Sequence, residues 1–460
     1  MHCSTPDSFC SSSKPNQFPN QHTIQAMSHI DLPNDEISRR RFISRAASSL
    51  LGVGLMPAAS LFSGSAHAAG QGASKLRQIP TAKRVIYLYM NGGMSHLDTL
   101  DPKPGVDEGP TRAIKTSADG IRISEYLPRL SRQMHHGCIV RSLSSTQGAH
   151  QQGNYFMHTS YSLRGTIRHP AMGAWLQKFQ GKENPMLPGS VVIGNDSRHP
   201  GAGFFESNFA PLMISNPQDG LQNSKIAKGI TESRFDRRRK MSNHFDQGFD
   251  ERYDYKNVRA YSSMYDDAVK LMRSSDLNAF DITKEPSKLR DSYGSDPFGQ
   301  GCLLARRLVE HGVRFVEVSL GGWDTHNSNF VRVPENCETL DRALGALIPD
   351  LERRGMLQDT MVVLASEFGR TPKINQNEGR DHYPQAFSAM LMGGGIQGGI
   401  TYGKTDAAGA KVLENQVAVP DFNATIAYAL GLPLDHVLYS PTKRPFTTVD
   451  KGKPITQIFA

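Results

Sequence analysis

The sequence is poor in cysteine, in concentrated charge and in long apolar segments. Its five cysteines include no Cys-x-x-Cys pair, which excludes a zinc ribbon and a thioredoxin-type redox site. Cys3 and Cys10 lie near the amino terminus, so Cys138, Cys302 and Cys337 allow at most one disulfide in the body of the chain. The net charge of +8 over 460 residues is modest and scattered. The one dense run, Arg237-Arg238-Arg239-Lys240, sits in a polar stretch and reads as a solvated helix face, so nucleic acid is not an expected partner. Beyond residue 68 no segment is long and apolar enough to cross a bilayer. What remains is an ordinary globular composition, 38% hydrophobic and 21% charged, in a chain long enough to bury a substantial core.

The first 37 residues are rich in Ser, Pro, Asn and Gln, the composition of a disordered segment. Then come Ser38-Arg39-Arg40-Arg41-Phe42-Ile43-Ser44, a mildly apolar run from Ala46 to Phe62, and the small-x-small triplet Ala66-His67-Ala68. Basic residues, apolar segment and cleavage triplet in that order make an export signal, and paired arginines before a Phe resemble the twin-arginine class. The apolar run is diluted with Ser, Gly and Pro and is marginal for a membrane anchor. The expectation is a leader over 1–68, export through the twin-arginine translocation machinery to a periplasmic or extracellular location, and one domain over 69–460. An irregular insertion is expected around 195–245, where Gly, Pro, Asn and Ser are frequent and no period emerges.

The chemistry concentrates where apolar runs end. Val362-Val363-Leu364-Ala365 reads as a buried strand that runs into Ser366-Glu367-Phe368-Gly369-Arg370-Thr371-Pro372, with Gly379-Arg380-Asp381-His382-Tyr383-Pro384 close behind. Arg84–Met90 leads into Asn91-Gly92-Gly93-Met94-Ser95-His96-Leu97-Asp98, and Val313–Leu320 into Gly321-Gly322-Trp323-Asp324-Thr325-His326. Two of these three ends repeat one pattern: paired glycines that admit close backbone approach, then Asp and His in close sequence. Cys138–Val140 is a shorter strand, followed by Ser144–His150 opening a helix through Met157, and such an amino end suits an anion.

Helices are expected over Leu127–Met134, 245–275, 298–311, Cys337–Arg354 and from Asp421 to Leu430. Further strands are expected over Met186–Ile193, Phe387–Met392 and, at a sheet edge, Ile400–Gly403. Strands alternating with helices imply a mainly parallel, doubly wound sheet. Open sheets of this kind place ligands at the carboxyl ends of their strands. Glu, Arg, Asp and His there suit a metal and an anionic ester; the same residues also make a buried ion-pair network.

Together the motifs resemble the domain-of-unknown-function 1501 family of the alkaline phosphatase/sulfatase-like superfamily. The matching stretches are Gly92–Thr99, Gly321–His326, Glu367–Pro372, Gly379–Pro384 and Gly393-Gly394-Gly395-Ile396, and the likeness spans nearly all of residues 80–435. The resemblance implies a three-layer α/β/α sandwich, alkaline phosphatase-like, with one or two divalent cations at the strand ends. The implied chemistry is hydrolysis or transfer of phosphate and sulfate esters. Asp324 and His326 fall where members place an Asp and a His after a central strand, Glu367 where the superfamily has the Asp of an Asp-His pair, and His382 at the later isolated His. Three departures stand out. Phe368 occupies a usual His position, Asn91-Gly92 replaces the Asp that ends the first strand, and His150 falls on the nucleophile position of sulfatases. No Cys-x-Pro-Ser-Arg occurs, which disfavours a formylglycine sulfatase.

The resulting expectation is an exported metal-dependent hydrolase with an atypical site. His96, Asp324, His326, Glu367, Asp381 and His382 hold a divalent ion, zinc or manganese in preference to calcium. Arg370 forks onto the anion, Ser95 or a water attacks, and His150 serves as base. The substrate is a small anionic ester or a sulfated or phosphorylated glycan. The alternative is a non-catalytic binding or scaffold protein that keeps the fold.

Overall fold

Strand β1, Arg84–Met90, shows why the chain builds three layers. Val85, Tyr87 and Tyr89 project into one apolar cluster, while Ile86, Leu88 and Met90 project into another on the opposite face. A strand buried on both faces reads as an unbroken apolar run and needs helices on either side. The computed structural model describes residues 80–104, 109–194, 198–252 and 256–460, all within the unit Lys75–Ala460. The expected leader, with its arginines and cleavage triplet, lies outside the described residues.

After β1 comes a small hairpin, β2 (Ala113–Lys115) and β3 (Arg122–Ser124), then β4 (Gly137–Ser144), α1 (His150–Thr159) and α2 (Met172–Gln180). Next are β5 (Ser190–Ile193), β6 (Leu212–Ile214), α3 (Glu232–Arg252), α4 (Lys256–Arg273) and α5 (Pro297–Glu310). Then follow β7 (Phe315–Leu320), α6 (Asn329–Arg353), β8 (Thr360–Ala365), and a two-residue ladder of β9 (Gly369–Arg370) with β10 (His382–Tyr383). β11 (Phe387–Met392), β12 (Ile400–Tyr402), the small pair β13 (Lys404–Thr405) and β14 (Val412–Glu414), β15 (Val417–Ala418) and α7 (Val419–Ala429) complete the parts that matter here.

The main sheet has the order β12-β4-β11-β8-β1-β7-β5-β6, with β15 also on β4. Only β11 runs antiparallel to its neighbours; the other pairs are parallel. The α5 and α6 side chains fill one apolar cluster and those of α1, α2 and α7 the other. The fold is therefore mixed α/β with a mainly parallel central sheet between two helical layers.

Three differences from the sequence expectations stand out. The helix expected over Leu127–Met134 is a single 3-10 stretch, Leu130–His136, set by Asp341, whose carboxylate accepts the Arg129 and Leu130 amides. Helix α6 begins eight residues before Cys337 and runs through Pro334, because Asn329 and Arg332 are tied by their side chains to Asp98 and to the Asp324 carbonyl. Within 195–245, Leu212–Ile214 forms the sheet's edge strand and Glu232 opens a 21-residue helix. The run Arg237–Lys240 lies on that helix. Cys138, Cys302 and Cys337 are all buried and unpaired.

Candidate metal centre

Because β1, β4, β7 and β8 all point the same way, the segments that leave them meet at one edge. β11 enters the sheet from that same edge, which brings His382 to the others. Two glycines fix how closely these segments pack. A Cβ on Gly92 would lie 2.5 Å from the Asp324 backbone nitrogen, and one on Gly379 would lie 1.9 Å from the His326 carbonyl oxygen. The first and third loops therefore both seat directly on the Asp324–His326 segment.

Three imidazoles converge there, and each has its proton fixed by the group behind it. His150 Nδ1 lies 2.8 Å from Glu367 Oε1, His326 Nδ1 2.7 Å from Asp381 Oδ1, and His382 Nδ1 2.8 Å from the Gly148 carbonyl. Carboxylates and carbonyls only accept, so each neutral ring carries its proton on Nδ1 and presents a lone pair at Nε2. All three lone pairs face the Asp324 carboxylate. His150 Nε2 is 3.3 Å from Oδ2, without a hydrogen bond; His326 and His382 Nε2 are 3.3 and 3.5 Å from Oδ1. His326 Nε2 and His382 Nε2 are 3.0 Å apart, two acceptors in contact unless a proton or a cation lies between them.

These separations fit a metal. Bonds of roughly 2.0–2.1 Å to a tetrahedral ion place neighbouring donors about 3.3 Å apart. Ligating histidines characteristically pass their other proton to a carboxylate or carbonyl, the arrangement of all three rings here. His150, Asp324 and His382 each offer one donor atom within 4.8 Å of the others.

Electrostatics favour an ionised Asp324 and a neutral His382. Burial would raise the Asp324 carboxyl, but the Arg370 hydrogen bond at 2.7 Å and the Arg370 charge, joined by His150 and His326 when those rings are protonated, outweigh it and hold it at about 2. Glu367 is fully buried, yet hydrogen bonds from His150 and the Gly92 amide keep it below the usual carboxylate range. Burial and the Arg370 charge lower His382. The floor beneath His150 and His382 is Phe368, wholly buried, with ring centroids 5.2 and 4.6 Å from theirs. An apolar ring thus fills the position where the resemblance leads one to look for a histidine, and His150 supplies an imidazole from another element.

The remaining residues singled out in the sequence divide into two groups. Glu367 and Asp381 stand one bond behind the cluster, orienting His150 and His326. Ser95 and His96 face elsewhere, and Arg370 reaches the cluster only through Asp324. The Ser95 hydroxyl donates to Asp98, and His96, fully buried, turns Nε2 to the Gly409 carbonyl at 2.8 Å. Arg370 is also fully buried; it gives its donors to the Gly92, Gly93 and Arg380 carbonyls and to Asp324, leaving no fork directed at solvent. The sequence admits His150 as a base or as a metal ligand; which nitrogen it turns to the site depends on Glu367, 217 residues away.

The family model described as "Protein of unknown function (DUF1501)" matches residues 82–459. The chain belongs to the DUF1501 family. No curated protein matches it. Solved structures resembling this DUF1501 chain include the lipoteichoic acid synthase LtaP from Listeria monocytogenes, at 9% identity over 77% of this chain and 74% of that one, TM-score 0.39. Another is the PsFucS1 sulfatase from Pseudoalteromonas sp., 13% identical over 82% and 72%, TM-score 0.39. A protein of the alkaline phosphatase superfamily from Vibrio parahaemolyticus is 11% identical over 77% and 69%, TM-score 0.35. Scores this low say nothing about chemistry, so the reading of the DUF1501 site rests on its own side chains.

Proposed function

We propose that this DUF1501 protein is an exported, metal-dependent hydrolase of phosphate or sulfate esters. The observation that supports the reading is the convergence of three Nδ1-anchored imidazoles on Asp324. His150, Asp324, His326 and His382 would hold the ion, zinc or manganese by their nitrogen-rich donor set. When bound, such an ion polarises an ester oxygen and makes water a better nucleophile. The chain's own residues do the rest. Glu367, Asp381 and the Gly148 carbonyl hold the three rings in register, and Arg370 keeps Asp324 charged and aimed. The Asp324 and His326 side chains are 47% and 43% exposed. The site is therefore a shelf rather than a pit, open to a small anionic ester or to a sulfated or phosphorylated glycan. Ser95 donates inward to Asp98, which favours water over a protein hydroxyl as the attacking group.

The test is elemental analysis of the purified protein, followed by a hydrolysis screen of phosphate mono- and diesters and sulfate esters with several divalent metals. D324N/H382A should lose both the ion and turnover; full activity in that variant removes the mechanism. A wild-type chain without stoichiometric metal favours the alternative, a binding or scaffold protein that keeps the fold.

A further inference from the structure

A second cluster lies under helix α1, on the helical side of the sheet. Glu317 stands in the middle of β7, in the run Phe315-Val316-Glu317-Val318, and is 1% exposed. A carboxylate in a central strand beneath a helix is expensive unless it is fully compensated. Tyr87 lies directly opposite it in the parallel β1–β7 register, so both side chains point the same way. His158, in the last turn of α1, brings Nε2 to 3.1 Å from Glu317 Oε1, and His199, after β5, brings Nε2 to 3.6 Å from Oε2.

The donor chemistry resembles that of the first site. His158 Nδ1 lies 2.8 Å from the Asn154 carbonyl, so its proton sits there and the neutral ring turns a lone pair toward the carboxylate. Tyr87 Oη is buried with no hydrogen-bond partner among the described residues, and an orphaned buried hydroxyl calls for an explanation. A cavity of about 10 Å³ is lined by Tyr87, His158, His199 and Glu317, room for one ion or one water. His158, His199 and Glu317 each offer a donor atom within 4.8 Å of the others.

We propose that His158, His199 and Glu317, with Tyr87 Oη as the fourth donor, form a second, buried metal site for a zinc-like dication. Two imidazoles, a carboxylate and a phenol close the coordination sphere without an open position, the mark of a structural rather than a catalytic site. One feature opposes loading. His199 Nδ1 accepts the Gly201 amide at 3.1 Å, so Nε2 carries the ring proton before metal enters. Binding moves that proton to Nδ1 and loosens the Gly201 contact, while any proton held between His158 and Glu317 leaves.

The site is independent of the proposed reaction, and its test keeps the two apart. The full chain and its H150A/D324N variant, which lacks the first cluster, are assayed for zinc per chain. H150A/D324N should retain one equivalent, and H158Q/H199Q should hold one fewer than wild type. If H150A/D324N keeps the whole wild-type content and H158Q/H199Q loses it, the buried site stands and the first one falls. Since H158Q/H199Q risks misfolding, the melting temperature of H150A/D324N is also read with zinc and with chelator. A rise of several degrees with zinc, weakened in Y87F, is expected. A melting temperature indifferent to zinc, or H150A/D324N without bound metal, overturns the proposal and leaves a plain His158–Glu317 ion pair.

Discussion

Two carboxylates at the same edge of the sheet, Asp98 and Asp324, each meet an arginine. Asp98 accepts from Ser95, Thr111, Asn329 and Arg380, the last at 2.9 Å, and is 1% exposed. Asp324 accepts from Arg370 and otherwise faces three imidazole lone pairs, with nearly half of its side chain in solvent. Asp98 is a closed knot that ties the loop carrying Arg380 to β1 and α6. Asp324 is an open arrangement whose neighbours, Arg370 apart, are acceptors. Residue type and place on the strand do not separate the two. What separates them is whether donors or acceptors surround the carboxylate, because only a surplus of acceptors calls for a cation.

The contrast breaks most visibly at the knot. D98A breaks the buried pair with Arg380 and should cost about 3–5 kcal/mol, seen as a large loss of melting temperature or of soluble protein, with or without metal. A D98A protein as stable as wild type would mean that the knot is not closed. The residues behind the shelf come next. E367Q weakens the anchor of His150 and should lower metal affinity by roughly 10–100-fold in a competition titration, leaving the fold in place. D381N acts on His326 from a more exposed position and should fall near the tenfold end of that range. Equal affinity in both variants and wild type would show that the imidazoles are not ligands.

The smallest effect is electrostatic. The Asp324 carboxyl, held at about 2, lies below the usual value, so its pairing stabilises the fold above roughly pH 4 and fades as pH falls toward 2. For a half-exposed pair the contribution is under about 1 kcal/mol. Denaturation of metal-free wild type and D324N at pH 5 and pH 3 should show a small advantage for wild type that shrinks in acid. An advantage that grows in acid contradicts the assignment.

The strand ends were legible because β1 and β8 are nearly unbroken apolar runs, and β7 a mainly apolar one interrupted by Glu317, closed by glycine or by a carboxylate. Asp324, His326 and His382 stood out for the same reason. His150 could be read as a base or a metal ligand, but which nitrogen it offers was not legible, since its tautomer depends on Glu367 far along the chain. His96 and Asp98 looked as functional as Asp324 and His326, since a linear pattern does not reveal that Ser95, Thr111, Asn329 and Arg380 close around Asp98. Short elements also escaped. Leu212–Ile214 spans three residues, and Pro334 hides the first turn of α6.

Helix α1 carries His150 in its first turn and His158 in its last, so one ten-residue rod of roughly 15 Å joins the open shelf to the buried cluster. If both ends take an ion, any coupling between them is reciprocal: the factor by which zinc at the buried cluster changes binding at the shelf is the factor by which the shelf changes it at the cluster. The helix would then be the protein's channel of communication between surface and interior, measurable as a shift in one binding curve when the other end is emptied.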